Sequence, residues 1–164
     1  YLLPKARELD VRVDLLEIAR RINDSVPGVL ADMLEAALAK RGKALRGSKV
    51  AVLGLAMKDF SNDDRISPPH HFVDILLQRG ARVTAYDPAV PSVHAYKTDK
   101  LEEALEGADA LALLAVQEEF LSYDWHGLVA KMAARPVLLD TKNRIPRSVE
   151  SDESIEGGAV LLRI

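Results

Sequence analysis

Four basic side chains follow two apolar runs of this sequence, and their types and spacing suit a phosphorylated ligand. Lys58 and Arg65 come after the run KVAVL, and Lys142 and Arg144 come after the run VLLD. Cations that converge in a crevice bind phosphates through charge-assisted hydrogen bonds. We therefore expect the two basic clusters to meet on one rim of the protein and to form a phosphate-binding site there.

The same cations have a second interpretation. Lys58 and Arg65 could pair with Asp59, Asp63 and Asp64, which lie in the same stretch. Exposed ion pairs of this kind contribute little free energy, and charged runs in loops are usually solvated. The sequence leaves both interpretations open.

The turn that introduces this stretch contains a single glycine. The segment GLAMK runs from Gly54 to Lys58 and lacks the G-x-G-x-x-G pattern of a dinucleotide-binding turn. Gly54 suits a tight turn after a strand. Asp87 lies where a dinucleotide-binding fold has its ribose-binding acid, but the following Pro88 favours a simple turn equally well.

Apolar runs that alternate with helical segments must position these residues. This alternation predicts an α/β fold, a Rossmann-like doubly wound parallel sheet that binds ligands at the carboxyl ends of its strands. The predicted strands are Lys49–Leu53, Arg82–Tyr86, Ala110–Leu114, Val137–Asp140 and Ala159–Leu162. The predicted helices are Pro69–Arg79, Leu101–Leu105, Phe120–Tyr123, Gly127–Ala133 and Ser148–Ser151.

A long amphipathic helical segment precedes the predicted sheet. Apolar residues recur at helical spacing from Leu15 to Leu45. Pro27 interrupts the pattern, so either two helices meet there or one long helix bends. Gly42 is a candidate helix stop. We place the helical segment in residues 1–47 and the Rossmann-like domain in residues 48–164.

Composition excludes several classes of function. The net charge of −3 provides no general attraction to nucleic acid or to an anionic membrane. The 164 residues include no cysteine, which excludes thiolate chemistry within this chain. No apolar run approaches the roughly 20 residues that span a bilayer, and the start lacks signal-peptide order, so we expect a cytoplasmic protein. The chain begins at Tyr1 instead of methionine, which suggests a fragment.

The histidines provide little basis for a metal site. His70 and His71 are adjacent, and neighbouring residues point about 100° apart on a helix. His94 and His126 have no sequence neighbour at ligand spacing. We therefore expect no metal.

Several motifs resemble one known family. The stretches KVAVLGLAMK, DDRISPP, RGARVTAYDPAVP, EALEGADALALLAVQEEF and PVLLDTKNRIP are similar, in this order, to the C-terminal domain of the UDP-glucose/GDP-mannose dehydrogenase family. The upstream stretch YLLPKARELDVRVDLLEIARRINDSVP resembles the segment that joins the family's central domain to the C-terminal one. Within it, YLL and RRINDSVP most resemble the members that act on UDP-N-acetyl-D-mannosamine.

The resemblance implies a parent enzyme that oxidises the C6 alcohol of a UDP-sugar to a carboxylate in two NAD-dependent steps. It implies that Lys58 and Lys142 contact the UDP-sugar and that Arg65 reaches NAD, which an N-terminal domain outside this chain mainly holds. It also implies a homodimer joined through the N-terminal helix. Because the family's catalytic cysteine lies upstream of Tyr1, we expect this chain to contain no catalytic residue and to bind the nucleotide sugar only. A stand-alone, non-catalytic binding or assembly module is the alternative.

The sequence departs from the family pattern near the expected site. Ile66 replaces the glutamate that follows the arginine, and Ala115 and Gln117 replace a threonine and a histidine. Lys142 replaces an arginine and so gives up bidentate recognition. A divergent substrate and a weakened site would both fit these changes.

Overall fold

A computed structural model of the chain describes residues 2–164 and contains one six-stranded sheet within them. The strands are β1 Lys49–Leu53, β2 Arg82–Tyr86, β3 Lys97–Thr98, β4 Ala110–Leu113, β5 Val137–Asp140 and β6 Val160–Arg163. The α-helices are α1 Leu2–Glu8, α2 Asp14–Lys40, α3 Pro68–Gln78, α4 Leu101–Leu105 and α5 Trp125–Val129. Two 3₁₀ helices span Glu118–Ser122 and Arg147–Ser151.

The sheet is parallel throughout, and its strand order is β3-β2-β1-β4-β5-β6. This order confirms the predicted Rossmann-like doubly wound fold. Leu53 is in register with Tyr86 of β2 and with Leu113 of β4. The chain leaves β1 and β4 in opposite directions across the sheet, and ligands bind in the crevice that such a switch creates.

Helices cover both faces of the sheet because its strands are apolar on both faces. Val50 and Val52 of β1 belong to the core cluster that includes α2 and α3, whereas Ala51 and Leu53 belong to the cluster that includes α4 and α5. All four side chains are fully buried. This burial on both faces is why β1 reads as a continuous apolar run.

The amphipathic segment forms one helix of 27 residues, with Pro27 inside it. Of the two alternatives, the single long helix is therefore correct. Its second half packs on the sheet, where Leu34 and Leu38 are completely buried. Gly42 follows the helix with φ +74, and the N–H of Lys43 donates to the carbonyl of Leu38 at 2.9 Å, which confirms the predicted stop. The division between 1–47 and 48–164 stays a prediction.

Local differences from the predicted elements occur at short segments. The sequence analysis missed β3, a two-residue edge strand of polar, half-buried residues with no apolar alternation, and it missed α1. The helix predicted at 127–133 lies at Trp125–Val129, and the one predicted at 120–123 is a 3₁₀ helix. No helix within residues 2–164 has both the length and the apolar content to cross a membrane.

Candidate functional site

The turn after β1 passes very close to the strand end beside it. Gly54 has φ +85, and its N–H donates to the carbonyl of Tyr86 at 3.0 Å. A Cβ atom added to Gly54 would lie 2.1 Å from the carbonyl oxygen of Ala115. Only glycine fits both the backbone angle and the contact, so the predicted role of Gly54 in a tight turn is confirmed.

Asp87 anchors the same turn from the end of β2. The carboxylate is buried, and it accepts hydrogen bonds from the N–H groups of Leu55 at 2.8 Å and Ala56 at 3.2 Å. Its other oxygen accepts from the N–H of Ala89 at 3.0 Å, and the Gln117 amide donates to both oxygens at 3.1 Å. Hydrogen-bond donors of the protein therefore engage both carboxylate oxygens of Asp87, as we expect if this residue stabilises a turn.

Residues 58–66, which we call the charged loop, form one wall of an open pocket of about 660 Å³. The other walls are Pro88 and Ala89 after β2 and residues 117–119 after β4. Lys58 is exposed there, and no residue within 2–164 forms an ion pair or a hydrogen bond with its ammonium group. Lys58 is therefore a cation that is available to a ligand in this pocket.

Glu118 and Glu119 both line the same pocket, and two tyrosines hold Glu119. The hydroxyl of Tyr86 donates to the Glu119 carboxylate at 2.9 Å, and the hydroxyl of Tyr123 donates to the same oxygen. Burial, and then this hydrogen bond to a carboxylate, raise the pKa of Tyr86 to about 12. The position of Glu119 is thus set by the protein before any ligand binds.

Lys142 pairs with the charged loop but lines a different pocket from Lys58. Its ammonium nitrogen lies 3.1 Å from a carboxylate oxygen of Asp59, and that oxygen also accepts a hydrogen bond from the N–H of Val116 at 2.9 Å. Lys142 lines a separate, mainly apolar pocket of about 380 Å³ between α2 and α3. The ion pair brings together the loops that follow β1 and β5. However, Lys58 and Lys142, which we expected to lie on one rim, line two different pockets.

Arg65 lines neither of these pockets. Its guanidinium makes a bidentate pair with Asp63, in which both N···O distances are 2.9 Å, and the side chain is 85% exposed. The hydrogen bond from Arg65 lowers the pKa of Asp63 to about 2. The solvated ion pair is therefore the arrangement that Arg65 adopts here, while its expected role toward NAD stays a prediction.

Two of the histidines lie in a cluster with Asp64 that the sequence analysis did not identify, while the expectation of no metal stays a prediction. His94 has two close neighbours, because its Nε2 atom lies 3.1 Å from Asp64 Oδ2 and its ring centroid lies 4.5 Å from that of His70. His70 Nε2 lies 2.9 Å from the same oxygen. These residues are far apart in sequence, so spacing alone could not reveal the cluster. Asp64 and His70 follow β1, and His94 follows β2, which is the neighbouring strand of the sheet. This adjacency of the two strands is the feature from which the cluster could have been predicted.

Gln117 and Ile66 show what two departures from the family pattern do. Gln117 is buried and links Asp87 to the charged loop, since its amide also donates to the carbonyl of Ser61 at 2.7 Å. Ile66 is 94% exposed and has φ +56, an unusual angle for a β-branched residue. Gln117 therefore has a structural role, whereas Ile66 leaves an apolar side chain in solvent.

Comparison with known proteins identifies relatives for most of the chain. Residues 51–147 match the UDP-binding domain of the UDP-glucose/GDP-mannose dehydrogenase family. A UDP-N-acetyl-D-mannosamine dehydrogenase of Pyrococcus horikoshii is 37% identical over 80% of this chain, and a UDP-glucose 6-dehydrogenase of Rhizobium meliloti is 34% identical over 87%. The solved structure of a UDP-N-acetylmannosamine dehydrogenase from Pyrococcus horikoshii superposes with a TM-score of 0.80 at 32% identity, over 97% of this chain and 35% of that one.

The similarity is confined to one part of these relatives. This chain spans 30% of the Pyrococcus sequence and 33% of the Rhizobium sequence, about a third of each. It therefore corresponds to the UDP-binding domain and the helix before it, and the remaining two thirds have no counterpart within these residues.

Proposed function

Because this chain belongs to the UDP-glucose/GDP-mannose dehydrogenase family, we propose that it is the C-terminal, nucleotide-sugar-binding part of a UDP-sugar 6-dehydrogenase. The parent enzyme would oxidise the C6 alcohol of UDP-N-acetyl-D-mannosamine, or of a related UDP-sugar, to a carboxylate in two NAD-dependent steps. This chain alone would bind the nucleotide sugar and catalyse no oxidation, since it contains no cysteine to act as the nucleophile.

The observation that carries the proposal is the unpaired ammonium of Lys58 in its pocket. Within residues 2–164 no carboxylate forms an ion pair with it, although the chain is acidic overall and Asp63 attracts it from a longer distance. A diphosphate would supply the missing negative charge, and a cation of this kind contributes by charge-assisted hydrogen bonding. The pocket lies at the carboxyl ends of β1, β2 and β4, where ligands bind to sheets of this type.

Lys142 is proposed as the second contact with the UDP-sugar. Its ammonium already pairs with Asp59, so a phosphate would have to compete with that carboxylate. The apolar wall around it, which includes Pro68 and Phe72, suits the flat face of a base or sugar better than a phosphate alone. We therefore expect a smaller loss of affinity from removal of Lys142 than from removal of Lys58.

Calorimetric titration of this chain with UDP-N-acetyl-D-mannosamine, UDP and uridine tests the proposal. We expect UDP and the UDP-sugar to bind and uridine to bind far more weakly. Lys58→Ala should weaken UDP binding about 10- to 100-fold, since it removes one charge-assisted contact. Lys100→Ala is the matched control, because Lys100 is an exposed lysine that pairs with Glu103 and does not line the pocket.

Two results would contradict the proposal. One is the absence of any UDP binding by the unmodified chain, and the other is an equal loss of affinity in Lys58→Ala and Lys100→Ala. NADH formation by this chain from a UDP-sugar and NAD would contradict the proposed inactivity. Titration with GDP in parallel would show whether the base is recognised.

Arg65 is proposed to contact NAD that another domain of the parent enzyme holds. The exposed guanidinium lines neither the Lys58 pocket nor the Lys142 pocket, so it is accessible to a contact across a domain interface. In the full-length parent, Arg65→Ala should weaken NAD binding and leave UDP-sugar binding unchanged. The reverse pattern would assign Arg65 to the UDP-sugar instead.

We also propose a homodimer joined through α2. Apolar side chains on the first half of this helix face solvent, including Leu15 at 79% and Ile22 at 60% exposure. They form a stripe beside the buried face that packs on the sheet, and a second copy would cover it. Sedimentation should give a dimer for the unmodified chain and a monomer for Ile22→Glu, and a monomeric unmodified chain at micromolar concentration would exclude this dimer.

A further inference from the structure

Asp64, His70 and His94 converge on one point, and none of them is used in the proposed nucleotide-sugar site. Asp64 lies at the end of the charged loop, His70 in the first turn of α3, and His94 in the loop between β2 and β3. One donor atom from each residue lies within 4.8 Å of the other two. These residues thus join three segments of the chain at the outer side of β2.

The donor atoms have the arrangement of an open three-ligand metal centre. Asp64 Oδ2 lies 2.9 Å from His70 Nε2 and 3.1 Å from His94 Nε2. Ligands around a tetrahedral Zn²⁺ ion lie about 3.3 Å apart, given metal–ligand bonds of about 2.0 to 2.2 Å. The two distances from Asp64 are thus within a few tenths of an ångström of this value, and the two imidazole donors lie within 4.8 Å of each other.

Hydrogen bonds with neighbouring hydroxyl groups orient two of the three proposed ligands, His70 and Asp64. The hydroxyl of Tyr96 lies 2.6 Å from His70 Nδ1, the ring nitrogen that faces away from the cluster. The hydroxyl of Ser92 donates to Asp64 Oδ1, the carboxylate oxygen away from the imidazoles, at 2.8 Å. Metal-binding histidines and carboxylates typically have partners of this kind, which fix the donor atom that faces the ion.

Burial and access also suit a bound ion. The Asp64 side chain is 8% exposed, so the surrounding protein shields this carboxylate from bulk solvent. The His94 side chain is 29% exposed, which leaves a path from solvent to the cluster.

We propose that Asp64, His70 and His94 form a binding site for a divalent transition-metal ion, with Zn²⁺ as the ion best matched to two imidazoles and one carboxylate. Imidazole ligands favour Zn²⁺ over Mg²⁺ and Ca²⁺, which prefer oxygen. The ion fastens the charged loop to α3 and to the β2–β3 loop. Because Lys58 and Arg65 lie on the charged loop, the ion stabilises the segment that carries both cations.

Equilibrium dialysis with Zn²⁺ and absorption spectroscopy with Co²⁺ test this site in the 164-residue chain. We expect one bound ion per chain, visible Co²⁺ absorption typical of low coordination number, and a higher thermal midpoint with Zn²⁺ but not with Mg²⁺. His94→Gln should weaken Zn²⁺ binding at least about tenfold. His71→Gln is the matched control, since His71 is the adjacent, exposed histidine outside the cluster.

The outcomes separate a metal site from a hydrogen-bonded cluster. Loss of the Co²⁺ absorption in His94→Gln with retention in His71→Gln supports the proposal. Absence of Zn²⁺ binding to the unmodified chain at millimolar metal overturns it, as does binding that His94→Gln leaves unchanged. Ser92→Ala, which keeps all three ligands but removes the hydrogen bond to Asp64, should also weaken Zn²⁺ binding relative to the unmodified chain, so this second variant keeps the test valid if His94→Gln fails to fold.

Discussion

The two sides of the Lys58 pocket are built differently. On one side Gly54, Asp87 and Gln117 are buried, and contacts with other strand ends fix each of them; we call this side the anchored edge. On the other side, the charged loop presents Lys58 and Arg65 to solvent. Both sides follow parallel strands of the same sheet, and hydrogen bonds also hold Asp59 and Asp64 of the charged loop, but its two cations are exposed.

This difference separates residues that fold the site from residues that serve a ligand. A buried carboxylate such as Asp87 would lose several hydrogen bonds on substitution, and unpaired buried donors are costly. An exposed cation such as Lys58 loses no protein contact. Substitutions on the anchored edge should therefore lower the free energy of unfolding, whereas substitutions of the two exposed cations should affect binding alone.

Gly54→Ala should have the largest effect. The new methyl group would overlap the carbonyl of Ala115, where the separation is 2.1 Å, so the free energy of unfolding should fall by at least about 4 kcal/mol. Gly42→Ala is the control, because φ is also positive there at +74 but no atom lies within 4 Å of an added Cβ. It should cost about 1 to 2 kcal/mol in urea unfolding. An equal loss of unfolding free energy in the two variants would show that the close approach to Ala115 does not contribute to the effect.

Asp87→Asn should have the next largest effect. In this variant the side-chain amide nitrogen would face backbone N–H groups whose hydrogen bonds the carboxylate now accepts. We therefore expect the free energy of unfolding to fall by about 2 to 4 kcal/mol. Asp99→Asn, at a side chain that is 97% exposed, should leave this free energy unchanged. If both variants unfolded at the same urea concentration, Asp87 would not anchor the turn.

Tyr86 makes the anchored edge sensitive to alkaline pH. Its pKa in the folded protein is about 12, above the ordinary value of 10.0, because of burial and the bond to Glu119. The resulting stabilisation is complete below pH 10 and is lost as the pH rises through 12, since the unfolded chain releases the proton first. Urea unfolding between these values should show a smaller decline for Tyr86→Phe than for the unmodified chain. An identical decline would mean that other groups cause it.

The sheet was predictable because its strands are short apolar runs separated by helical segments, and β1, β2 and β5 begin and end at the predicted residues. The apolar period of α2 was equally clear. That period could not show which face would be covered, because Val29 is 53% exposed beside the buried Leu30. A periodic pattern identifies apolar positions, but the partner that covers them lies elsewhere in the chain or outside it.

The candidate site was less predictable because its contacts join distant residues. Sequence reasoning identified Lys58 and offered the pairing of Arg65 with Asp63 as one of two interpretations, but it did not predict that Lys142 pairs with Asp59. It missed the meeting of His94 with Asp64, since 30 residues separate them in the chain. Contacts between loops depend on strand order, and strand order follows only from the complete fold.

Arg65→Ala and Lys58→Ala should have the smallest effects on stability. The Arg65 side chain is 85% exposed, so solvent and salt screen its pair with Asp63, and Lys58 has no partner among residues 2–164 to lose. Thermal unfolding midpoints should match that of the unmodified chain within measurement error, at low and at high salt. A loss of stability in Lys58→Ala as large as that in Asp87→Asn would place Lys58 with the anchored edge and would remove the distinction on which its binding role depends.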